Sequence, residues 1–132
     1  MSKGVVGFTL IEIVITAVVI AILSAIMIPQ YVKFVEKGRG EEAKLMLKSI
    51  RAAEKIYKAD NNTYTTNLNN LQSHIGAPNS NPNRSFNYSI TSADSISFTS
   101  RATRRTGVNS GEYLTIDQIG TINPSGTDTW SP

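Results

Sequence analysis

The chain has 132 residues, 40% of them hydrophobic and 17% charged, with 13 Lys and Arg against 10 Asp and Glu and a formal net charge of +3. That length holds one small domain plus an extension, and so mild a charge does not call for a nucleic-acid partner. There is no cysteine, which excludes disulfides, thiol catalysis, zinc ribbons and iron–sulfur sites.

Residues 1–7 are basic at Lys3 and end in Gly7; from Phe8 to Met27 the only polar side chains are Thr9, Glu12, Thr16 and Ser24. A run of that length forms a helix long enough to cross a bilayer, which takes about 20 residues at ~1.5 Å each. A charged side chain costs roughly 2.5–3.5 kcal/mol at the bilayer centre and less at its edge, so Glu12 is a functional candidate in need of a partner. An ordinary secretory signal places its small cut-site residue after the apolar stretch. Here Gly7 precedes it, so cutting there leaves the hydrophobic helix on the product with a new amine at Phe8. Glu12 lies one turn from that amine and would pair with it inside its own chain or across subunits. The alternative is an uncleaved signal anchor whose Glu12 reaches the interface.

Gly7-Phe8-Thr9-Leu10-Ile11-Glu12 resembles the processing and assembly signature of bacterial type IV pilins and type II secretion pseudopilins. The match covers roughly the first quarter of the chain. The resemblance implies cleavage after Gly7, an N-methylated Phe8 as mature N-terminus, and assembly roles for Phe8, Thr9, Glu12 and Pro29. It implies a homo-oligomeric helical filament, with a prepilin peptidase, a membrane platform protein and an assembly ATPase as partners, and no cofactor. Location would be the inner membrane before assembly, then an extracellular pilus, or the periplasm for a pseudopilin. Many type IV pilins close a C-terminal loop with a disulfide; this chain departs from that pattern.

Pro29 removes a helical N–H, which costs on the order of 3 kcal/mol in a regular helix and predicts a kink or local melting. Gly38-Arg39-Gly40 predicts a second weak spot between two helical stretches. From Glu41 to Ala59, Ala43, Met46, Leu47, Ile50, Ala53 and Tyr57 recur at the spacing of one face, suited to covering a sheet. Leu45, Ala52 and Ile56 form a thinner stripe, read either as a subunit contact or as scattered surface residues. Lys44, Lys48, Arg51, Lys55 and Lys58 follow at spacings of four and three, one basic stripe about 21 Å long. Its readings are a solvated face, a subunit contact, or a site for an anionic polymer.

Past Asp60 the composition turns to Asn, Thr and Ser, a loop with a short helical turn, and Gly76 to Asn83 is rich in turn residues. Alternation then predicts antiparallel strands around Phe86, Tyr88 and Ile90, around Ile96 and Phe98, and around Leu114, Ile116 and Gln118. Asp94 marks the first turn and Gly107 to Gly111 the second; Gly120 introduces a bulge or short fourth strand near Thr121-Ile122. Trp130 is expected to anchor the tail. Asn123, Ser125 and Asp128 offer only one carboxylate to a calcium ion, a weak signal.

No catalytic constellation appears: His74 stands alone and the carboxylates are dispersed. Arg101, Arg104 and Arg105, joined by Arg84, form a candidate positive patch for DNA, a surface or another subunit, or else charges that protect an edge strand. The expected fold is α+β, the type IV pilin fold: a long N-terminal helix, half membrane and half amphipathic, packed on an antiparallel sheet of three to four strands. The expected segments are a cleaved leader at 1–7, a transmembrane or filament-core half-helix at 8–37, and an amphipathic half at 38–60. A connecting loop at 61–85 and sheet plus tail at 86–132 complete the chain. The first functional reading is a structural subunit of a type IV pilus. The alternatives are a type II secretion pseudopilin, or a minor pilin binding DNA or a surface.

Overall fold

The computed structural model describes residues 4, 6–107 and 109–126. Helix α1 runs Leu10–Asn61 and passes through Pro29, Gly38 and Gly40 without leaving helical geometry. The expected weak spot at Gly38-Arg39-Gly40 is therefore ordinary helix. The reason is tertiary: Gly40 is buried, and a helix packed along a sheet gains more from contact than one glycine loses in backbone entropy.

The chain divides into two compact units, Met1–Val35 and Glu36–Pro132. In the first unit α1 is, beyond Glu12, apolar on every side as far as Pro29, with Gln30 and Lys33 following, and its large side chains from Leu10 to Phe34 are exposed. It is the one helix among the described residues long and apolar enough to cross a membrane, since a helix hydrophobic all round finds its partner in lipid or in other helices.

The second unit is a helix laid on a sheet. After α1 a 3-10 turn (Leu68–Leu71) leads into the short α2 (Gln72–Ile75). Four strands follow, β1 (Phe86–Ala93), β2 (Phe98–Arg104), β3 (Tyr113–Asp117) and β4 (Ile122–Pro124), paired antiparallel in sequence order. Ala43, Leu47, Ile50 and Ala53 of α1 meet Phe86, Tyr88 and Ile90 of β1, Phe98 and Ala102 of β2, and Leu114 and Ile116 of β3 in one core. Tyr64 closes the far end, its ring centroid 4.9 Å from that of Phe98.

Side chains complete the backbone pairing at one edge of the sheet and at one of its turns. Asn79, in the loop before β1, donates to the Tyr88 carbonyl at 2.7 Å and accepts from the Tyr88 N–H at 2.8 Å. One side chain thus does the work of a strand residue on the β1 edge and covers polar groups that would template another chain. At the turn after β3, Arg51 of α1 donates to the carbonyls of Gln118 (3.1 Å) and Ile119 (2.8 Å). Gly120 (φ +102) sits beneath that guanidinium, and a Cβ there would lie 3.1 Å from Arg51 Cζ.

Ile96 departs from its expected place. It is 76% exposed in the β1–β2 turn, because the Asp94 carboxylate accepts the N–H groups of Ile96 and Ser97 at 2.7 Å each and begins β2 only at Phe98. Gln118 likewise belongs to the turn after β3. Trp130 lies outside the described residues.

Glu54 is fully buried. One carboxylate oxygen accepts the Thr65 N–H at 3.0 Å, and the other has no partner. Burial raises its pKa above 4.5, against the opposing pull of the Thr65 N–H. A raised folded-state pKa means that ionised Glu54 destabilises the fold near neutrality, a penalty relieved as pH falls through the folded pKa. Glu54→Gln is expected to be more stable than the parent at pH 7, the gap closing on acidification toward pH 4.5 in urea titrations of the detergent-solubilised chain. A gap that widens on acidification would contradict this assignment.

Candidate functional site

The N-terminal site is built by local chemistry. Thr9 immediately precedes the first helical residue, and Glu12 stands three positions on. The Glu12 carboxylate accepts the Thr9 N–H at 2.7 Å and the Thr9 hydroxyl at 2.9 Å, while the Glu12 N–H donates to Thr9 Oγ1 at 3.3 Å. This is a reciprocal capping box, which satisfies helix-end N–H groups that lipid could not. The signal was present in the sequence as Thr9-x-x-Glu12, a spacing that sequence reasoning passed over in favour of the charge. Thr16 turns its hydroxyl back onto the Glu12 carbonyl at 2.7 Å, so it too exposes no free donor. Phe8, Glu12, Ile13, Thr16, Ala17 and Ile20 border one open groove of about 350 Å³ along the helix face.

The two basic patches that the spacing predicts form only in part. Along α1, Lys44 pairs with Glu41 at 2.7 Å, Arg51 is spent on turn carbonyls, and Lys58 lies over the Tyr64 ring at 4.6 Å. Lys48 and Lys55 remain exposed, so the stripe is interrupted. On β2 the alternation separates the arginines. Arg101 points to the outer face of the sheet and stacks on Tyr113 at 4.1 Å, whereas Arg104 is buried on the helix side. Nor is β2 an edge strand: it lies between β1 and β3, so edge protection does not explain these charges.

Arg104 instead forms the buried ionic link of the second unit. Its Nη2 and Nε donate to the two carboxylate oxygens of Glu36 at 2.9 and 3.2 Å, and its Nη1 donates to the Ser85 carbonyl at 2.8 Å. Arg39 adds a bond to Glu36 at 2.6 Å. The fork geometry matches a carboxylate with two parallel bonds. Sequence reasoning missed Glu36 because a lone Glu beside Lys37 looks solvated; its partner is 68 positions away.

Around this link a groove of about 410 Å³ opens, lined by Arg39, Asn83, Arg84, Arg104, Arg105 and Thr106 among others. Arg105 donates to the carbonyls of Asn81 and Pro82 at 3.2 and 3.3 Å. Four arginines thus line this groove, two of them, Arg39 and Arg104, bonded to the Glu36 carboxylate. Among the described residues no cluster of three His, Cys, Asp or Glu could hold a metal; Asp128 of the weak calcium candidate lies outside them.

An exposed apolar helix with a capped carboxylate at its start, continued by a helix-on-sheet head, defines a pilin-like subunit. Residues 29–112 match the family model described as type IV minor pilin ComP, DNA uptake sequence receptor, and the chain belongs to that family of type IV pilins. It is 37% identical over 76 residues to the type II secretion system core protein G of Pseudomonas aeruginosa, covering 58% of this chain and 54% of that protein. It is 34% identical over 89 residues to the type IV wide pilus major component PilA4 of Thermus thermophilus, covering 67% of each. It is 38% identical over 65 residues to the type IV major pilin protein PilA of Myxococcus xanthus, 49% of this chain and 30% of that one. The chain spans about half the length, or less, of the first curated relatives it matches. In fold it is similar to the Neisseria meningitidis non-core minor pilin PilV, with a TM-score of 0.56 at 23% identity over 73% of this chain and 92% of that one.

Glu36→Ala would strand the buried Arg104 guanidinium and is expected to destabilise the fold by about 3–5 kcal/mol. The pair Glu36→Leu with Arg104→Met should recover most of that loss, because two apolar side chains leave no buried charge. Denaturant unfolding of the three proteins measures both effects; a double variant as unstable as Glu36→Ala would show that the link is more than charge compensation.

Proposed function

We propose that this chain is the structural subunit of a type IV pilus filament, made as a membrane-anchored precursor and polymerised through α1. The observation that carries this reading is the juxtaposition at residues 7–12: Gly7 before Phe8, and the Glu12 carboxylate held at the first turn of a helix apolar on every side as far as Pro29. Cleavage after Gly7 by a prepilin peptidase would free an amine at Phe8, the site of N-methylation. Glu12 then has two competing partners, the Thr9 cap of its own helix and the Phe8 amine of a neighbour. Handing the carboxylate from the first to the second lets the helix leave lipid without exposing a lone charge and sets the axial offset of the subunits. Phe8, Thr9, Glu12 and Pro29 are the assembly residues in this scheme. The fibre has no chemistry to perform, so the role is structural rather than enzymatic. A platform protein and an assembly ATPase would drive it from the inner membrane to the cell surface.

A second reading is favoured by a specific observation. The arginine groove of the head and the family's description as a DNA uptake sequence receptor support a minor pilin that contacts DNA. The likeness to core protein G supports, by name only, a pseudopilin of a secretion system in the periplasm.

Mass spectrometry of the mature chain is expected to find methylated Phe8 and no residues 1–7; a chain retaining Met1 would leave the signal-anchor reading. Glu12→Ala is expected to abolish sheared filaments while the precursor still accumulates in the membrane fraction. Filaments at parental yield from that variant would overturn the role given to Glu12.

A further inference from the structure

The two ends of the head along α1 carry different exposed groups. At its Glu36 end the groove gathers Arg39, Arg84, Arg104 and Arg105, of which Arg39 and Arg104 are paired with Glu36. Arg104 is consumed by Glu36 and Ser85, and Arg105 is held by two loop carbonyls. The half-exposed Arg84 donates its backbone N–H to the Asn81 carbonyl, but its guanidinium has neither a hydrogen bond nor an ion pair among the described residues. Its guanidinium is therefore available to an anion entering the groove.

The opposite end of the head lies about 36 Å away, since Glu36 and Asp60 are separated along α1 at ~1.5 Å per residue. There Asp60 and Asp94 are both exposed. The Tyr64 N–H donates to the Asp94 carbonyl at 3.0 Å, which brings the β1–β2 turn to the end of the helix. Of the nearby cations, Lys58 lies over the Tyr64 ring while its charge still reaches Asp94. The last carbonyls of α1 add their own partial negative charge at that end.

We propose that the arginine groove at the Glu36 end takes the Asp60–Asp94 end of the next copy of this chain, with the Arg84 guanidinium meeting the Asp60 carboxylate. This contact rests on the filament reading and names the head-to-head surface within it. Two different ends of one molecule are complementary, so the contact is heterologous; repeated without closure, such a contact generates an open helical assembly. Guanidiniums suit it, because they bind carboxylates in a planar fork and are only weakly hydrated. A nucleic acid fits less well. A duplex would need cations spaced along a track, and the helix stripe that would extend the groove is broken where Lys44 pairs with Glu41 and Arg51 with turn carbonyls.

The absence of cysteine makes the contact directly testable. Filaments assembled in cells from the full chain carrying Arg84→Cys and Asp60→Cys together should give a ladder of dimers, trimers and higher multimers with a short bis-maleimide. Each single variant should stay monomeric. Dimers from Arg84→Cys alone would indicate a two-fold contact and overturn the proposal, as would filaments of the double variant that form at parental yield and never cross-link. Charge exchange gives a second readout. Arg84→Glu and Asp60→Arg should each lower sheared-filament yield about tenfold or more, and the combination should restore most of it. Normal filament yield from Arg84→Glu, with loss of duplex DNA binding, would overturn the contact in favour of the nucleic-acid reading. If the parent chain makes no filaments at all, both the contact and the filament reading fall; parental filaments indifferent to charge exchange sink the contact alone.

Discussion

Helix α1 must satisfy two different surroundings along one hydrogen-bonded backbone, and the rest of the structure follows from that constraint. From Ile13 to Pro29 every face is apolar, which leaves no room for an unpaired polar group. The Thr9–Glu12 capping box, the back-bonded Thr16 hydroxyl and the continuous helical ladder are three answers to the same demand. From Glu36 onward the helix has one buried face and one wet one. The sheet exists to cover the buried face, and the side chains that meet there are small at Ala43 and Ala53 and large at Leu47 and Ile50.

The start of the head is marked by ions rather than by apolar packing. Glu36 is the first residue of the second unit, and its carboxylate is gripped from β2 by Arg104. A buried pair of this kind adds little net stability over an apolar pair of the same size, but it tolerates few alternative arrangements. Its use here is to specify register, because the fork closes only when one turn of α1 faces the last residue of β2. The same pair lies at the arginine-lined groove, so the element that orders the fold also helps build that surface of the head.

Much of this was legible in the sequence. The apolar run, the Glu12 offset and the period of Ala43, Leu47, Ile50 and Ala53 each report on neighbours within two turns, a range over which helical geometry is certain. The turns at Asp94 and Gly120 were legible for a similar reason, since their backbone shapes demand particular residues. The basic residues were misread as continuous patches because spacing along an element says which face a side chain shares but not what lies opposite it. Arg51 finds carbonyls 67 and 68 positions away, and Arg104 finds Glu36 across the whole loop region.

By itself, then, the sequence determined most of the elements, the lipid-compatible helix and the family. Only the tertiary structure decided that Gly38 to Gly40 stays helical, that Arg101 and Arg104 occupy opposite sides of one strand, and that Glu36 and Glu54 are buried while their neighbours are wet. The physical reason is that local geometry and hydropathy are properties of adjacent residues. Whether a charge is solvated, paired or stranded depends on which distant segment the fold brings beside it.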